Sequence, residues 1–196
     1  MYGLPLLQDI NADSPHQFCF KKDRCLRYRL KGFSCDKCLT SCPHDALRLG
    51  NGQITIDSET CTNCLRCHAS CPNDAFAPSW TKVEDFQQLL AREQDLVFCC
   101  SKQRFFHTQH LDIPCVGLFS IELLLAFGLS RRSTIVFNIT TCDSCENSAA
   151  LYSLRNNLKR IKSVAPSSIY EKFHLVSDKE ALPVEGDTCL LYTSPS

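Results

Sequence analysis

The stretch CTNCLRCHASCP, residues 61 to 72, sets Cys61, Cys64, Cys67 and Cys71 at C-x2-C-x2-C-x3-C spacing and closes on Pro72. Three thiolates this close wrap one iron–sulfur cube, whereas a fourth, on the next turn, points toward a neighbouring site. The proline then fixes the backbone as it leaves. Zinc is the competing chemistry. It normally takes two C-x2-C pairs separated by a longer loop, and the third and fourth cysteines here fit that pattern poorly.

Sliding the chain over itself by 29 residues lays Cys35, Cys38, Cys42 and Pro43 on Cys64, Cys67, Cys71 and Pro72. The flanks repeat as well, CPHDAL at 42 to 47 falling on CPNDAF at 71 to 76, with GNGQITID between the copies as a turn and a short hairpin strand. The first copy is incomplete. Gly32 stands where its leading cysteine belongs, and the cysteines available upstream are Cys25 and Cys19.

By these runs, residues 19 to 78 resemble the bacterial-type two-cluster ferredoxin family. The resemblance implies an α+β ferredoxin-like domain with two [4Fe-4S] clusters and crossed ligation. Cys42, Cys61, Cys64 and Cys67 would hold one cluster. Cys35, Cys38 and Cys71 would hold three irons of the other, with Cys25 the favoured fourth ligand, since nine residues leave ample chain to loop back, and Cys19 the alternative. If neither serves, the first site has an open iron that admits substrate chemistry.

A second cysteine set follows a different logic. Cys99 and Cys100 close a strand-like DLVFC at 95 to 99, Cys115 closes LDIPC at 111 to 115, and Cys142 and Cys145 follow STIVFNI at 133 to 139. Parallel strands would gather these five sulfurs along one edge, where open α/β sheets build their sites. Isolated cysteines at strand ends are often small buried hydrophobes, but the polar context of CDSCEN suits a core badly. From FCC at 98 to 100, through PCVG and LLLAFG, to CDSCEN, residues 95 to 163 resemble the methyl-viologen-reducing hydrogenase delta-subunit family. That resemblance implies a [2Fe-2S] cluster as a third centre, with zinc or a plain thiol pair as alternatives. His107 and His110, and His44 and His68 inside the runs, read as side chains that bind no metal.

The elements that must position these thiols are legible by period. TKVEDFQQLLARE, 81 to 93, reads as a helix, as do 120 to 129 and 147 to 162, the last with Leu151, Leu154, Leu158 and Ile161 on one face and Arg155, Lys159 and Arg160 away from it. The expected organisation is an extension over 1 to 18, the two-cluster ferredoxin-like domain over 19 to 80, a small α/β cysteine-rich domain with a parallel sheet over 81 to 185, and a tail over 186 to 196.

Composition narrows the function. With 15 cysteines in 196 residues and no secretory signal in the opening stretch, a reducing, cytoplasmic setting is expected, where clustered thiols bind metal. The longest apolar run, 116 to 129, is too short to cross a bilayer and carries Glu122. Lys and Arg balance Asp and Glu at 21 each, so no global field draws nucleic acid, and the local run KKDRCLRYRLK offsets cluster charge or docks an acidic partner. No flavin or nicotinamide fingerprint and no nucleophile–base pair stands out. The expectation is a non-catalytic electron-transfer subunit of a hydrogenase, formate dehydrogenase or flavin-based reductase complex, served by a redox partner protein. Its rivals are a zinc-stapled interaction module and an enzyme with an open-iron cluster.

Overall fold

The structure, a computed structural model, describes residues 18–78, 89–91, 93–100, 102, 111–130, 132–178 and 182. Its N-terminal half is built from two small antiparallel ribbons and three short helices. Strand β1 (Phe18–Phe20) pairs with β4 (Phe76–Pro78), Phe18 opposite Pro78, while β2 (Leu47–Gly50) and β3 (Gln53–Ile56) form a hairpin between the cysteine runs. Asn51 and Gly52 make the hairpin turn with φ of 49° and 72°. Two consecutive left-handed residues give the turn whose twist matches the flanking strands, which is why Asn-Gly occurs there.

Helix α1 (Leu26–Arg29) follows Cys25 directly; α2 (Lys37–Ser41) and α3 (Arg66–Ser70) occupy equivalent places in the repeat and pack on each other. The repeat reaches the backbone. Asp45 and Asp74, equivalent in CPHD and CPND, both have φ of 51°, a left-handed position that Asp tolerates better than most residues. Phe18, Phe20 and Phe76 close the far end, with ring centroids 5.7 Å and 4.9 Å from Phe76.

The C-terminal half holds a four-stranded parallel sheet, as its alternating sequence pattern implied. Strands β5 (Leu96–Cys100), β6 (Leu111–Ile113), β7 (Ile135–Asn138) and β8 (Phe173–Val176) lie in the order β6-β5-β7-β8. Helix α4 (Ile121–Ser130) leads from β6 to β7, and α5 (Ser148–Val164) with the one-turn α6 (Ser167–Tyr170) leads from β7 to β8. Ser120 Oγ caps α4 by accepting from the Leu123 N–H at 3.2 Å. Strand β8 and α6 were not anticipated from the sequence. Of the expected helix over 81 to 93, Leu89–Ala91 are described, as helix, and Glu93 lies beyond it with no helical structure; 81 to 88 and 92 lie outside the described residues.

All of β5 is buried, and strand alternation divides it between two faces. Leu96 and Phe98, with Ile135 and Phe137 of β7, join the cluster beneath α4 and α5, whereas Val97, Cys99 and Val136 pack with Leu182 on the reverse face. Phe137 lies stacked against Phe98 at 5.7 Å and edge-on to Phe119 at 4.8 Å, arrangements worth about 0.5–1.5 kcal/mol each beyond area burial. The buried face of α5 is Ala150, Leu151, Leu154, Leu158 and Ile161. The same apolar cluster continues into the N-terminal half through Leu65 and Val116 to Phe76 and Phe18.

Candidate metal centres

Cys25, at the residue before α1, Cys35 and Cys38 around the start of α2, and Cys71 at the end of α3 line one pocket together with Ile54, Ala75 and Phe76. Burial pushes the Cys38 thiol up to about 11, with the charges of Cys71, Cys25 and Cys35 adding to it. The Ala75 N–H donates to Cys71 Sγ at 3.2 Å. Arg27 Nε donates to the Cys35 carbonyl oxygen at 3.0 Å and so ties the helix after Cys25 to the start of the run. Cys19 is elsewhere, on β1 opposite Ala77. Gly32 is an exposed turn with φ of 79° and open space about it.

A second pocket is lined by Cys42, Cys61, Cys64 and Cys67, with Leu65 and Phe18 at its apolar wall. Burial raises the Cys61, Cys64 and Cys67 thiols, and the Cys42 charge contributes to each shift. Asp57 fixes the approach to this run. Its Oδ2 accepts from Thr60 Oγ1 at 2.9 Å, its Oδ1 from the Glu59 N–H at 3.1 Å, and its carbonyl from the Cys61 N–H at 3.0 Å. The Thr60 hydroxyl and the Glu59 and Thr60 backbone N–H groups, all donating to the carboxylate, hold the Asp57 carboxyl below the usual carboxylate range.

The C-terminal cysteines divide. Cys100 ends β5, Cys115 follows β6, and Cys142 and Cys145 follow β7, all at the C-terminal edge of the sheet and around β5, where the winding direction reverses. Their sulfurs sense one another. Burial pushes Cys115 up to about 12 with Cys100 and Cys142 adding, and Cys142 up to about 11 with Cys100 and Cys145 adding. Cys99 is not brought to this group, because the next residue on a strand faces the opposite way. Its sulfur meets Asn138 Nδ2 at 3.5 Å on the reverse face.

Among the described residues, no group of three or more Cys, His, Asp or Glu closes tightly enough for a single metal ion. Buried, mutually repelling thiols are costly to ionise, and a cation-rich cluster that takes them as thiolates reverses that cost. The donor sets of both pockets, all sulfur, fit [4Fe-4S] groups.

Several polar residues carry more structure than their sequence context suggested. His68 is tied into the fold: its Nδ1–H donates to the Phe76 carbonyl at 2.6 Å. His44 Nε2 meets Asn147 Oδ1 at 3.1 Å, and since that oxygen only accepts, Nε2 carries the proton. Asn147, the last letter of CDSCEN, is buried and also accepts from Thr62 Oγ1 at 2.6 Å. Only its place beside two cysteines hinted at a role. The basic run is partly spent on the fold: Arg24 pairs with Asp74 at 3.1 Å and Lys22 lies over the Tyr28 ring at 4.8 Å. Arg155 pairs with Asp143 at 3.2 Å, leaving Lys159 and Arg160 as exposed cations of α5. His107 and His110 lie outside the described residues.

None of the described helices is long and apolar enough to cross a membrane. Neither the curated proteins nor the solved structures contain a match to this chain. Residues 31–75, which hold every cysteine of the two runs but not Cys25, match the family model of the 4Fe-4S dicluster domain, so this part of the chain is similar to iron–sulfur electron-transfer domains that bind [4Fe-4S] clusters.

Proposed function

We propose that the protein is an electron-transfer subunit carrying two [4Fe-4S] clusters, one on Cys25, Cys35, Cys38 and Cys71 and the other on Cys42, Cys61, Cys64 and Cys67. The carrying observation is that each pocket is lined by four thiols, one of them crossing from the other copy: Cys35 and Cys38 with the upstream Cys25 and the crossing Cys71, and Cys61, Cys64 and Cys67 with the crossing Cys42. Bound clusters of this type exchange single electrons with little change in shape. The chain's part is to exclude water with Phe18, Leu65, Phe76 and Ile54, to donate backbone N–H groups to sulfur as Ala75 does for Cys71, and to fix the thiols on short helices. These donors and the surrounding dielectric tune the potential.

Cys100, Cys115, Cys142 and Cys145 form a third centre in this reading, a [2Fe-2S] group, with Cys99 outside it. Four sulfurs converging from three strand ends support it. No catalytic residue is assigned. Substrate chemistry belongs to a partner in a cytoplasmic oxidoreductase complex of the hydrogenase, formate dehydrogenase or flavin-based reductase type, docked near the exposed cations of α5.

Anaerobic purification with iron, acid-labile sulfide and zinc counts tests the whole reading. About ten irons per chain are expected, or about eight if the third centre is empty. Stoichiometric zinc without sulfide would replace it with a zinc-stapled module.

A further inference from the structure

Gly117 closes PCVG and sits in the 3-10 turn Val116–Leu118 that leads away from Cys115. A Cβ built there would lie 2.2 Å from the Cys64 carbonyl oxygen, 3.0 Å from Ala150 Cβ and 3.1 Å from Arg66 Cγ. The first of these is backbone and cannot swing aside. Gly117 has no left-handed φ to explain the glycine, so close approach explains it: the chain two residues past Cys115 presses on the chain at Cys64.

A second bridge joins the same two thiol sets. Asn147 Oδ1 accepts from Thr62 at 2.6 Å and from His44 at 3.1 Å, both lining the Cys42–Cys61–Cys64–Cys67 pocket, while the Asn147 N–H donates to Cys145 Sγ at 3.4 Å. Both bridges land on the second pocket. The first pocket, in turn, is joined to the second by the exchange of Cys42 and Cys71.

We infer that Gly117 and Asn147 are positioning residues that hold the Cys100–Cys115–Cys142–Cys145 set against the Cys42–Cys61–Cys64–Cys67 pocket, which makes that pocket the middle of a row of three. This rests on the reading of all three sets as iron–sulfur centres. Cys64 and Gly117 supply a direct backbone contact between ligand-bearing segments, and Asn147 supplies a hydrogen-bonded one ending on a ligand sulfur. A purely structural glycine would fix packing without fixing which pair of centres communicates.

The test is magnetic and uses the full chain reconstituted with iron and sulfide. In the wild type, the reduced third centre should show spin–spin broadening and fast relaxation. Cys61→Ser should abolish this and Cys35→Ser should leave it. Gly117→Ala and Asn147→Ala should each retain the full iron count yet weaken the broadening, whereas Gly50→Ala, whose Cβ meets open space, should change nothing; undiminished broadening in both iron-loaded variants overturns their positioning role. Broadening that survives Cys61→Ser, or is absent from iron-loaded wild type, overturns the inference while leaving the three-centre reading intact. Should Gly117→Ala fail to fold, Asn147→Ala with a full iron count and undiminished broadening overturns the positioning role, and the comparison of Cys61→Ser with Cys35→Ser decides the order of the row. Zinc in the third set would sink both readings together.

Discussion

Ser70 Oγ donates to Ser41 Oγ at 2.9 Å, and the two serines stand 29 residues apart, the period of the cysteine repeat. Equivalent residues of two copies meet at the axis relating the copies, so this bond marks the centre of the N-terminal half. Cys42 and Cys71 each follow one of these serines, and about that axis each passes into the pocket of the opposite copy.

The crossing gives a directional expectation. Cys42→Ser should disturb the spectrum of the cluster on Cys61, Cys64 and Cys67 and leave the other mainly intact, read by low-temperature electron paramagnetic resonance of the reduced protein. Damage confined to the other signal would refute crossed ligation.

Cys25 and Cys19 should part company. Cys25→Ser should convert one four-iron cluster to a three-iron form or destroy it, because Cys25 shares the pocket of Cys35, Cys38 and Cys71, while Cys19→Ser on β1 should keep full iron content. Iron analysis with spectra of the oxidised protein separates the two outcomes.

The third set should respond residue by residue. Replacing Cys142 and Cys145 together should remove about two irons and spare the four-iron signals, and Cys99→Ser should cost no iron. Loss of iron on replacing Cys99 would mean that the reverse face of β5 also feeds the site.

Metal-free and loaded protein should differ in alkaline stability. Burial raises Cys38 and Cys142 from 9.0 to about 11. Between those values the unfolded chain has already released its thiol protons and the folded apoprotein has not, so apoprotein stability falls as pH rises from about 9 toward 11. In the loaded protein the thiolates are already formed, and the fall should vanish. Urea unfolding under reducing conditions at about pH 8 and about pH 10 checks the sign.

Phe137 is fully buried between Phe98, Phe119 and Phe173. Phe137→Ala should cost about 3–5 kcal/mol, measured by chemical denaturation. The loss should be felt first at the third set, since β7 carries the loop of Cys142 and Cys145.

What the sequence disclosed depended on how local the cause was. The two runs could be read because iron–sulfur ligation imposes a fixed spacing, and the parallel sheet because period and strand-end cysteines agree. Strand β8 was not legible: FHLV alternates too briefly to stand out, and it is recruited by the register of β7. The separation of Cys99 from Cys100 needed only strand alternation, yet adjacency in sequence suggested a shared site. His44, Thr62 and Asn147 meet across more than 80 residues, so no local pattern announces them. Gly117 likewise looks like any turn glycine until the Cys64 carbonyl is placed beside it.

The exchange of Cys42 and Cys71 also orders events during synthesis. Chains emerge from the ribosome N-terminus first, so Cys25, Cys35 and Cys38 appear together, but their pocket lacks its fourth wall until residue 71 has been made. Cys42 appears early and waits for Cys61. Neither pocket can therefore close on a nascent chain that stops within the hairpin Leu47–Ile56, and the two become complete within a few residues of each other, at Cys67 and Cys71. A truncated product ending there would present bare thiols and not one finished pocket.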